Sequence, residues 1–136
     1  MRGNLLYRVL LLISVLTVAS GLGQVIKPAL ILRLIGAETT PASAHFFGII
    51  GMFMVFFGAM LLQALLTAGD HSVAVLWSGV QKFGAAAAVG LGVLTGIFSP
   101  IALGVASFDL LSGVLIMMYR SRSRAARAKY QPTGSG

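Results

Sequence analysis

Lys82 and Asp109 are the two ionisable side chains that fall well inside long apolar runs of this 136-residue chain. A charge placed in hydrocarbon is expensive, so such a residue is by default a candidate for function and needs a partner. Lys82 lies nine residues after Val73, and Asp109 lies ten before Tyr119. At about 1.5 Å rise per helical residue, the two backbones reach nearly the same depth when counted from those ends. Counted from the opposite bend near Ile97 they differ by about one helical turn, a gap that the long lysine stem closes. The residues three and four positions away are mostly small: Ser78, Gly79, Ala85 and Ala86 around Lys82, and Val105, Ala106, Ser112 and Gly113 around Asp109. Both charges are therefore expected on packed faces.

Two kinds of chemistry fit this pair. One is a buried salt bridge that fixes the register of adjacent helices, where loss of either partner strands the other charge. The other is a polar centre that binds a headgroup, a quinone-like molecule or a proton, with Gln81, Trp77 and Ser78 as neighbours. Other chemistry lacks its parts. The acids are Glu38, Asp70 and Asp109 alone, and no nucleophile with a base, paired carboxylates or phosphate loop is present. His45 and His71 are expected at opposite ends of the second span, so they do not share a metal or haem within one chain. With no cysteine, disulfides, thiolate metal sites and dithiol redox chemistry are excluded. No metal site is expected, the residues name no cofactor, and a non-enzymatic role is favoured over an enzymatic one.

The elements that must hold the pair follow from composition. Hydrophobic residues make up 57% of the chain, charged residues only 10%, and the mean hydropathy is +0.94. Soluble domains carry roughly 25% charged residues, and a bilayer-spanning helix needs about 20 apolar ones. The expectation is an all-α integral membrane four-helix bundle over residues 1–119, with spans at about 5–26, 43–66, 73–97 and 100–119. In the first, Arg2 and Arg8 precede an apolar stretch, and Val18-Ala19-Ser20 resembles a small-residue cleavage site, so a signal peptide competes with a span. Between Lys27 and Pro41, Leu30, Ile31, Leu34 and Ile35 alternate with polar residues, which suits a short helix lying at the interface. Thr40-Pro41 and Ser99-Pro100 supply a polar cap and a first-turn proline for the second and fourth spans, and Asp70 with Ser72 caps the third.

Small residues let spanning helices approach. In the second span Ala44, Gly48, Gly51, Val55, Gly58 and Leu62 form one stripe, with Phe46, Phe53 and Phe57 expected opposite. In the third, Gly84, Ala88, Gly92 and Gly96 recur every fourth residue, expected to pack inside the bundle or against another subunit. The net charge of +7 owes much to Arg120, Arg122, Arg124, Arg127 and Lys129, just after the last apolar run. Topology and lipid headgroups account for that cluster better than nucleic acid does. The positive-inside rule then places both termini in the cytoplasm, and residues 120–136 are expected as a basic, disordered cytoplasmic tail.

The "RLIG" turn (Arg33 to Gly36), "QKFG" (Gln81 to Gly84) and "FDLLSG" (Phe108 to Gly113) within four short spans resemble small DoxX-like bacterial membrane proteins, over about Leu5 to Tyr119. The resemblance implies a four-helix bundle of the bacterial inner membrane, in a group largely without assigned biochemistry and sometimes linked to quinone or thiol redox systems. The absence of cysteine sets the thiol branch apart. The function expected is that of a small multi-pass membrane protein, a non-enzymatic bundle or accessory subunit whose partners are the lipid bilayer and a second membrane protein or copy of itself. The alternative is a redox-linked or lipid- or quinone-binding protein centred on Lys82 and Asp109.

Overall fold

A computed structural model describes residues 4–130, and among them the chain is helical, with no strand. The elements are α1 (Leu5–Ile26), α2 (Pro28–Leu34), α3 (Pro41–Leu66), α4 (Ser72–Leu94), a 3-10 turn (Pro100–Ala102) and α5 (Leu103–Tyr130). Four of the helices, α1, α3, α4 and α5, are long and apolar enough to cross a membrane.

Local chemistry sets their ends. The Asn4 side chain accepts from the Tyr7 backbone N–H to start α1. Thr40 and Ser43 form a reciprocal capping box ahead of Pro41 and start α3 where the sequence places its cap. Asp70 accepts from the Ser72 N–H at the start of α4. Ser99 departs from its expected role. Its side chain does not cap the following helix; its N–H and hydroxyl both donate to the Ile35 carbonyl, at 2.9 and 3.0 Å. That contact ties the α4–α5 turn to the end of α2. It also explains the glycine of "RLIG": Gly36 has φ +70°, and a Cβ there would stand 2.6 Å from the Ser99 Cβ.

Packing divides the bundle into two hairpins, α1 against α3 and α4 against α5. The α1–α3 seam is built on glycine. A Cβ on Gly51 would meet the Gln24 Cβ at 2.6 Å and the Gly21 carbonyl at 2.7 Å, and one on Gly58 would meet the Val18 backbone at 3.0 Å. The second-span stripe therefore packs against protein, as its spacing implies, and the partner is α1; Gly48 sits more loosely, since a Cβ there would stand 3.8 Å from the Gln24 carbonyl. On its outer side Phe46, Phe53 and Phe56 are exposed, whereas Phe57, expected there, is half-buried. The hairpins meet through Tyr7, Leu10, Ile13, Leu61, Leu65, Val75 and Ile116 at the end that carries the start of α1. There the Tyr7 hydroxyl donates to the Leu65 carbonyl, which lies in the last turn of α3 and lacks a helical partner.

Two expectations are corrected. The basic segment after Tyr119 is not disordered over residues 120–130: α5 continues without a break to Tyr130. Arg120 and Arg127 hold it, donating to the carbonyls of Ser72, the first residue of α4, and of Gly69 in the α3–α4 loop. Residues 131–136 lie outside the described residues, as do the first three. The third-span glycine stripe is not an internal seam either. Gly84 has nothing within 4 Å of its Cβ position, and Ala88 is exposed. Gly92 lies under the Phe98 ring of its own turn, and Gly96 falls beyond the end of α4 with φ +76°. The helix turns this stripe outward because Gly79 and Lys82 commit the adjacent face to α5.

Candidate functional site

The α4–α5 seam brings the two intramembrane charges together. The Lys82 Nζ donates to the Asp109 Oδ1 at 2.7 Å, and the residues are 2% and 4% exposed. Small residues make the approach possible. Gly79 lies beneath Ile116 and Met117, and Gly113 lies beneath Phe83, where a Cβ would stand 3.0 Å from the ring. The ammonium also stands 5.1 Å from the centroid of the Phe108 ring, within the range of a cation–π contact. Phe108 is the member of the site that the sequence did not mark as a contact, although it adjoins Asp109 in the "FDLLSG" run.

The other expected neighbours divide by helical angle. Ser78, four residues before Lys82, lies on the same face and is buried, but its hydroxyl is spent on the Ala74 carbonyl of its own helix at 2.8 Å. Trp77 is five residues away, about 140° around the helix, and is 55% exposed. It belongs to the outer surface with Val73, Val80 and Gly84, not to the polar centre. Gln81 is half-buried and makes no hydrogen bond to a described side chain. What remains is a compact pair, a cation and an anion in direct contact, walled by small and aromatic side chains.

Clefts lie elsewhere. One of about 870 Å³ opens at the end of the bundle where the α3–α4 loop meets the extension of α5. The second, about 780 Å³, lies at the opposite end between α2, α3 and the α4–α5 turn, and is lined by Leu32, Phe46, Phe47, Ile50 and Phe98 among others. Neither these nor the third, beside Phe83 and Met118, is lined by Lys82 or Asp109. Among the described residues no group of three His, Cys, Asp or Glu side chains converges on a metal position. His45 stands beside Phe46, and His71 engages the Thr67 hydroxyl at 2.9 Å in the α3–α4 loop, at the two ends of α3.

In that loop Asp70 links two elements. It accepts from the Ser72 N–H and pairs with Arg127. The hydrogen bonds from Ser72, with a smaller contribution from Arg127, hold its carboxyl below the usual carboxylate range. No family model, curated protein or solved structure matches the chain.

Proposed function

We propose that this protein is a non-enzymatic, multi-pass membrane bundle that serves as an accessory subunit and assembles through the outer face of α4. The observation that carries this reading is the position of the small residues: Gly84 and Ala88 lie on an exposed face between Trp77 and Leu91. Helices in lipid associate where small residues let backbones come close, and this face has no partner among the described residues. Lys82 and Asp109 act in this reading as the internal lock that keeps α4 turned outward. Their burial weighs against a centre open to quinone or lipid.

The same reading places the protein in a bacterial inner membrane among the DoxX-like proteins it resembles, with both termini cytoplasmic by the positive-inside rule. Substitution of Gly84 or Ala88 by leucine tests it. Native mass spectrometry after mild detergent extraction is expected to show the wild type with a second subunit, its own copy or another membrane protein. The leucine variants are expected to appear alone with the bundle intact. A wild type that is always solitary, or leucine variants that keep the second subunit, would overturn the proposal.

A further inference from the structure

We propose that the cleft between the α3–α4 loop and the extension of α5 holds the phosphate of an anionic phospholipid. This inference is independent of the outer face of α4. Residues 120, 124 and 127 recur at helical spacing, so Arg120, Arg124 and Arg127 line one side of the cleft together. The rest of the lining is mixed, with Ala64, Leu65 and Val75 beside Thr67, Asp70 and His71, and Leu65 and Val75 are already covered by the core. What the cleft offers a ligand is therefore its basic side, which suits an anionic group.

The arginines are not equivalent. Arg120 is fixed by the carbonyl of Ser72 at the start of α4 and Arg127 by that of Gly69 in the loop, and Arg127 is also paired with Asp70. The side chain of Arg124, between them, lines the cleft and makes no hydrogen bond or ion pair to a described residue. A guanidinium has five donors, and Arg120 commits one, its Nε–H, to the start of α4. Three arginines face one carboxylate, Asp70, so the cleft is left with unspent donors and positive charge. An anion satisfies both, and phosphate does so with the geometry guanidinium prefers.

Position decides the source of the phosphate. The arginines follow directly after Tyr119, where the apolar sequence of the last span ends, which is the depth of lipid headgroups. A phospholipid holds its phosphate at that depth, at the edge of the apolar layer that the last span crosses.

The full chain in nonionic detergent, titrated with dioleoyl phosphatidylglycerol or dioleoyl phosphatidylcholine and read by native mass spectrometry, tests the site. The phosphatidylglycerol adduct is expected to be retained in preference. Arg124→Gln is expected to weaken it about fivefold, the contribution of one basic residue near a charged surface. Arg122→Gln removes the same charge, but Arg122 lines a different cleft with Phe83 and Met118, so it is expected to leave the adduct nearly unchanged. Arg124→Lys, which keeps the charge and breaks no internal bond, is expected to retain it. Equal loss in Arg122→Gln and Arg124→Gln, or equal retention of the two lipids, would overturn the proposal. So would complete displacement of phosphatidylglycerol by inorganic phosphate, which would mark a site for the free anion.

Discussion

At the scale of single residues, the central fact is that Lys82 and Asp109 satisfy each other and little else does. Removing one partner strands a buried charge, at a cost of about 3–5 kcal/mol. Asp109→Leu is therefore expected to lower the thermal midpoint in detergent sharply. Adding Lys82→Met is expected to restore most of the loss, because buried pairs are often replaceable by apolar residues of similar volume. A polar centre with a ligand of its own would instead lose that ligand in both variants, whatever their stability. Asp70 presents the opposite case, an exposed carboxylate outside the spans. Its folded pKa is lowered, first by the Ser72 N–H and only later by Arg127. The stabilisation it contributes is thus complete above the unfolded value and is lost as pH falls through the lower, folded one. Carboxyl carbon shifts are expected to show Asp70 titrating below an unstructured aspartate, and to move upward only slightly in Arg127→Gln.

At the scale of elements, glycines that look alike in the sequence do different work, and substitution separates them. Gly51→Ala places a Cβ 2.7 Å from the Gly21 carbonyl, so α1 and α3 must move apart, at a cost of about 1–3 kcal/mol. Gly84→Ala meets nothing within 4 Å and is expected to leave the thermal midpoint level or raise it, since alanine gains up to about 1 kcal/mol in a helix. Chemical denaturation of the two variants side by side checks the contrast. Four apolar helices, the Thr40 cap and the facing charges were legible in the sequence because periodicity and capping are local properties. The facing direction of a glycine stripe was not, since small residues permit close approach without saying which helix arrives. Gly79 and Gly113 were legible only as neighbours of the charges. The helical course of residues 120–130 was illegible for a related reason. Arginine side chains find their carbonyl partners, Ser72 and Gly69, across a loop far away in sequence.

At the scale of the whole molecule, an even number of spans puts the start of α1, the α3–α4 loop and the extension of α5 at one end, with α2 and the α4–α5 turn at the other. Hydrogen bonds from Tyr7 to Leu65 and from Arg127 to Gly69 join the first group, and those from Ser99 to Ile35 join the second. Which end faces the cytoplasm depends on charge. The α3–α4 loop has no Lys or Arg, and α2 brings Arg33 after Lys27 to the opposite end, so the bias rests on the basic extension. The absence of cysteine makes the orientation measurable, because one introduced thiol is then the only thiol in the chain. Cysteines replacing Ala68, in the loop, and Ala128, exposed on the extension, are expected to resist a membrane-impermeant maleimide in intact cells and to react after lysis. A cysteine replacing Ala37, beyond α2, is expected to react in intact cells. The reverse pattern would invert the protein while leaving the grouping of its ends intact. If Ala68 and Ala128 fell on different sides, the four-span arrangement itself would fail, and the arginine-lined cleft with it.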